Sequence, residues 1–108
     1  MKKDYELTGD HLLAGQKELI TSELILATGT VVRGDIVDET GAIITSGAEV
    51  YGVVCRDADA TKGETKTTVY VEGEFDIENV NFGTLDKEEA TKLCAVKNIY
   101  LRTEGGRK

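Results

Sequence analysis

Thr65-Lys66-Thr67-Thr68-Val69-Tyr70-Val71-Glu72 is the stretch on which the fold turns. Its residues alternate. Thr67, Val69 and Val71 fall on one side, and Lys66, Thr68, Tyr70 and Glu72 on the other. A period of two in a run this rich in β-branched residues marks a half-buried strand. Gly73 is expected to end it. Glu74-Phe75-Asp76-Ile77 then resumes the alternation with Phe75 and Ile77 inward.

Working toward the N-terminus, Asp57 to Glu64 is polar and reads as a loop, and Glu49 to Arg56 as a strand. Ser46-Gly47 and Asp38-Glu39-Thr40-Gly41 read as turns. Across the second of these, Ala42-Ile43-Ile44 answers Ile36-Val37 as a hairpin. Gly29 to Val37 sets β-branched residues between two glycines that permit a sharp reversal. Glu18 to Thr21 and Leu24-Ile25-Leu26 are short apolar runs. Before them the chain has no sustained period. Residues 1–20 are therefore expected to form a flexible arm, 21–103 a single domain and 104–108 a loose tail.

Toward the C-terminus one helix is expected. Asp86 is its N-cap and Glu89, three residues on, would complete a capping box, with Leu85 stapled onto Ala90. Ala90, Leu93 and Cys94 recur at helical spacing, Asn98 ends the helix, and Ile99-Tyr100-Leu101 returns as a strand. The fold class that results is α+β and mostly β: an antiparallel sheet with one short C-terminal helix.

Composition narrows the function. The 108 residues carry 13 Lys+Arg against 20 Asp+Glu, a formal net charge of −7, which argues against a phosphate-backbone binder. No apolar run approaches the ~20 residues of a membrane span, and no apolar h-region follows Lys2-Lys3, so neither membrane nor signal peptide is expected. His11 is the sole histidine and lies in the aperiodic leader, a poor place for a rigid general base. Cys55 and Cys94 have no Cys or His neighbour at ligand spacing and read as small reduced core residues. Asp57, Asp59 and Glu64 do not follow a calcium-loop pattern, and no Gly-rich phosphate loop occurs. No catalytic residue, cofactor or metal is expected. The chain reads as a shape and a surface.

The order of segments from Gly52 onward resembles a known family. A Gly-aliphatic strand (Gly52-Val53-Val54) leads to an acidic loop (Asp57-Ala58-Asp59) and a Thr-rich strand with Tyr70. A Gly-x-Phe step (Gly73-Glu74-Phe75), a capped helix (Asp86 to Lys97) and a final strand (Ile99-Tyr100-Leu101) follow. Upstream, Gly29-Thr30-Val31-Val32-Arg33-Gly34 has the pattern glycine, apolar pair, basic, glycine. This series is similar to the head decoration proteins of tailed phages, the lambda decoration protein D type. The resemblance spans about Ile25 to Leu101. The chain lacks the prolines and the Trp of those relatives.

The resemblance implies a β-clip-like domain that forms homotrimers on the outer surface of an expanded capsid. The trimers brace the shell against packaged DNA, with the major capsid protein as partner and the virion as location after synthesis in the host cytoplasm. It also implies an N-terminal arm that orders on the shell, for which Leu7, Leu12, Leu13, Leu19 and Ile20 would be the apolar anchors. The alternatives are a head fibre or other capsid accessory protein, and a soluble protein-binding module. A nucleotide hydrolase on a related core would need Asp35 or Asp38 beside the missing phosphate loop.

Overall fold

In the computed structural model the described residues are Leu12 and 19–102. They form a mostly antiparallel sheet with one helix near the C-terminus. The strands are β1 (Ile20–Leu26), β2 (Thr30–Val31), β3 (Ile36–Val37), β4 (Gly52–Val54), β5 (Ala58–Asp59), β6 (Thr65–Asp76) and β7 (Ile99–Arg102). The helix α1 spans Lys87–Ala95, and a 3₁₀ turn, Ile77–Asn79, follows β6. The main sheet runs β1-β6-β4-β3, with β7 also on β6; β2 and β5 form a separate ribbon.

The Thr-rich stretch is the first two-thirds of the central strand, which is longer than its alternation suggested. Gly73 does not end it. Its φ of 152° is open to glycine, and a β-carbon there would meet Leu19 Cδ2 at 2.6 Å. The strand therefore continues through Gly73 and changes partners there. Residues 65–72 pair antiparallel with β1, with a register irregularity between Ile20 and Thr21 opposite Glu72 and Tyr70. From Gly73 to Asp76 the partner is β7, and the pairing is parallel.

Both faces of β6 are buried, which corrects the one-sided reading. Val69 lies in one core cluster with Leu24, Leu26, Val31, Val37, Val54 and Ala60. Tyr70 lies in the other, with Ile36, Val53, Phe75, Ala90, Cys94 and Ile99. The rings of Tyr70 and Phe75 stand 5.4 Å apart, tilted by 47°. That separation falls within the favoured range for aromatic pairs.

Other segments are shorter than their sequence implied. Of Glu49–Arg56 only Gly52–Val54 is strand, and the polar 57–64 loop contains β5. The turn at Asp38 closes through Gly41 N donating to Asp38 O at 3.0 Å, and Ile44 N donates to Ile36 O at 3.1 Å as the hairpin reading requires. In α1, Asp86 caps as expected, its Oδ1 accepting from Glu89 N at 2.8 Å. The reciprocal half of the capping box is not made. Glu89 Oε2 instead accepts from Ser46 Oγ at 2.8 Å and Gly47 N at 3.2 Å, because the neighbouring turn offers two donors to one carboxylate. Helical residues stop at Ala95, and Asn98 takes φ 66° to turn the chain into β7. Asparagine tolerates that conformation better than most residues.

Candidate functional site

The anchors expected in the arm fall into three groups. Leu7 and Leu13 lie outside the described residues, as does His11. Leu12 is 3 % exposed and belongs to the Tyr70–Phe75 core, with its carbonyl accepting from Asp76 N at 2.7 Å. Leu19 and Ile20 are 37 % and 39 % exposed at the start of β1. The strand thus begins one residue inside the segment read as arm, and Leu12 lies within the domain's own interior.

β1 is an edge strand among the described residues, with β6 as its one sheet neighbour. Its burial alternates at the C-terminal end: Leu24 and Leu26 point into the core, while Ile25 between them is 49 % exposed. Such an edge is a template for pairing with another chain unless something blunts it. Here Glu23 and Lys66 stand 3.8 Å apart across the β1–β6 pair, both largely exposed. Tyr51 reaches across to donate its hydroxyl to Glu23 O at 2.7 Å. That crossing contact ties β1 to the β4 side of the sheet, and nothing in the local sequence around Tyr51 signals it.

The polar groups that could have suggested catalysis serve the fold. Asp35 is buried; its carboxylate accepts from Val32 N at 3.0 Å and from Asn81 Nδ2 at 3.1 Å, pinning the 32–35 turn to the chain after the 3₁₀ turn. Asp38 accepts from Thr40 N, Thr40 Oγ1 and Ala42 N within its turn. Partial burial would raise its pKa, but the Thr40 hydroxyl and the turn amides together hold it below the ordinary carboxylate value. Asp59 is held low by the hydroxyl and amide of Thr61, at 2.6 and 2.9 Å. Asp57 accepts from Arg33 N at 2.8 Å. No group of three His, Cys, Asp or Glu side chains is assembled for a metal among the described residues.

Arg33, the basic residue of the Gly29–Gly34 segment, makes contacts that its sequence pattern does not announce. Its Nη1 donates to Cys55 O at 2.8 Å and lies 3.4 Å from the Tyr70 hydroxyl, with the guanidinium 5.9 Å from the Tyr70 ring centre. Burial pushes the Tyr70 hydroxyl pKa up. Cys55 adds to the rise and Arg33 opposes it. The one signal for this contact is a basic residue between Val32 and Gly34 in an otherwise apolar reversal. Cys55 and Cys94 are both free thiols. Cys94 is buried, and desolvation pushes its pKa up to about 12.

The clefts among the described residues include two on either side of the 38–43 hairpin. One, of about 330 Å³, is lined by Asp38, Glu39, Glu49, Tyr51 and Lys97, and there Glu49 Oε2 accepts from Lys97 Nζ at 2.8 Å. The other, of about 430 Å³, runs between Leu26–Thr30 and Thr40–Ile43 and is mainly apolar. Among the described residues no helix is long and apolar enough to cross a membrane. No protein-family model matches the chain, and no curated protein is similar to it in sequence.

Proposed function

We propose that this chain is a structural virion protein. It binds the outside of an expanded phage capsid as a homotrimer and stabilises the shell against internal DNA pressure. The observation that carries the reading is the outer edge of β1, which has no further sheet neighbour among the described residues. That edge continues directly from the N-terminal segment and presents Leu19, Ile20 and Ile25 to solvent. An edge of this kind suits strand addition, in which main-chain hydrogen bonds supply affinity and alternate side chains supply fit. The segments that carry the family resemblance support it too: Gly52–Val54, Thr65–Asp76, the Asp86-capped helix and Ile99–Arg102 form one connected sheet-and-helix unit. Three linked arms would raise avidity by ~10²–10⁴ over one arm without any new contact.

Mass photometry of the pure protein followed by cosedimentation with expanded and unexpanded shells tests the reading. A trimer that sediments with expanded shells and not with unexpanded ones is the expected result. A monomer that sediments with neither overturns it.

A further inference from the structure

β1 carries a single charged residue, and it stands at the centre. Around Glu23, Ile20-Thr21-Ser22 and Leu24-Ile25-Leu26 are apolar or hydroxyl-bearing. A run of that composition on a sheet edge is a template for pairing with further strands. One side of the strand is closed: Leu24 and Leu26 are buried, and Ser22 Oγ stands 3.1 Å from the Tyr51 hydroxyl. The other side carries Thr21, Glu23 and Ile25, all exposed. Within the β1–β6 ladder Glu23 lies opposite Thr68 and Ile25 opposite Lys66, so the 3.8 Å contact of Glu23 with Lys66 is diagonal. Their side chains are 60 % and 68 % exposed, and a pair so exposed adds little stability.

The place of Glu23 decides what suits the outer side of the strand. When β1 pairs with β1 of a second copy along its full length, Glu23 meets Glu23, whether the strands run antiparallel about a two-fold axis or parallel in register. Like charges directly opposite one another destabilise a ladder. A one-residue slip sets exposed side chains against buried ones. An antiparallel slip of two residues parts the carboxylates but leaves either Ile25 and Leu26 or Ile20 and Thr21 without partners. A strand with Lys or Arg opposite Glu23 instead forms a stabilising cross-strand pair. That cation and Lys66 would stand two strand spacings apart, about 9.5 Å. The separation exceeds the Debye length of about 8 Å at physiological salt, so their repulsion is largely screened. Ile25, two residues on, faces the same way and favours an apolar neighbour.

We propose that the outer edge of β1 receives a strand of a different protein, with Lys or Arg opposite Glu23 and an apolar residue opposite Ile25, and that Glu23 bars a second copy of this chain from the same edge. The inference rests on the reading of β1 as a docking edge. Charge selects the partner, while main-chain and apolar contacts hold it.

Two end-capped peptides test the selection: Thr-Val-Thr-Lys-Thr-Val-Thr, and the same sequence with Glu at its centre. Each is titrated onto the full chain, with the β1 amide signals as readout. The Lys peptide is expected to bind about fivefold tighter. Because the net charge of −7 attracts any cation, two variants of equal charge are compared. Glu23→Gln should cut the preference to under about twofold, whereas Glu88→Gln, exposed on α1, should leave it as it was. An equal preference in both variants, or binding of neither peptide, overturns the selection. Sedimentation velocity on Glu23→Thr reads the exclusion of a second copy. Assembly beyond the species formed by the unaltered chain, rising with concentration, is expected, and an unchanged profile overturns that role. Shell cosedimentation keeps the two readings apart. If the peptides discriminate but no shell binds, the capsid reading fails and the edge chemistry stands. If shells bind but neither peptide does, the edge chemistry fails and the capsid reading stands.

Discussion

The two faces of β6 are closed in different ways. On the Val69 face, Leu24, Leu26, Val31, Val37, Val54 and Ala60 come from strands, turns and ribbon between residues 20 and 60. On the Tyr70 face the cover is drawn from farther apart: Leu12 from the N-terminal segment, Ala90 and Cys94 from α1, Ile99 and Leu101 from β7. One strand thus serves a core of small aliphatic groups and a core built around an aromatic pair. The comparison separates what the sheet supports from what the helix and the N-terminal segment support.

Truncation gives the largest effect with which to break that contrast. Phe75→Ala on the helix side should cost roughly 3–5 kcal/mol, and Leu24→Ala on the other face roughly 2–5 kcal/mol, both read from denaturant midpoints. The sharper comparison is thiol labelling in the native state. The buried Cys94, with its pKa pushed up to about 12, should resist alkylation in the unaltered chain and in Leu24→Ala, but react in Phe75→Ala. Equal labelling in both variants would mean that the two clusters open together.

A smaller effect is expected at the edge of the helix-side core. Asp86→Ala removes the acceptor for Glu89 N and should cost about 1 kcal/mol. Glu89→Gln sharpens the point. Because Glu89 bonds the Ser46–Gly47 turn and not its own cap, this substitution should loosen the amide of Gly47 while leaving the helix ellipticity unchanged.

The smallest effect is acid sensitivity on the hairpin that joins the two faces. Asp38 has a folded-state pKa below its ordinary value. Its contribution to stability is therefore complete above about pH 4 and fades as the pH falls through the lowered value. Asp38→Asn should narrow its stability gap to the parent as the pH drops through that window. A gap independent of pH would assign the Asp38 effect to turn geometry and not to its charge.

Local signals were legible because neighbours in sequence decide them. The alternation of Thr67, Val69 and Val71, the Asp86 cap, the Asp38 turn and the return strand at Ile99 are all short-range, and each stands where its pattern placed it. What was hidden depends on partners far away. Tyr70 is buried because α1 and β7 fold over it, Gly73 sits mid-strand because the strand exchanges one partner for another, and Leu12 is internal because residues 34 and 79–80 make a place for it. The candidate surface follows the same division. Leu19 and Ile20 could be picked out as apolar residues at a boundary, but the edge position of β1 among the described residues is a property of the sheet order.

The parallel pairing of β6 with β7 has a consequence for how the chain acquires its shape. Its two strands are joined by the 3₁₀ turn, residues 80–86, α1 and the short turn after it, so the β6–β7 contacts within 65–102 are comparatively local. β1 must instead find β6 across the whole intervening chain, from residue 20 to residue 72. Local contacts form faster because less loop-closure entropy is lost before they are rewarded. During synthesis β1 leaves the ribosome well before its partner exists. When the whole chain refolds, the β6–β7 ladder is expected to close before the β1–β6 ladder, which borders the edge of the sheet among the described residues.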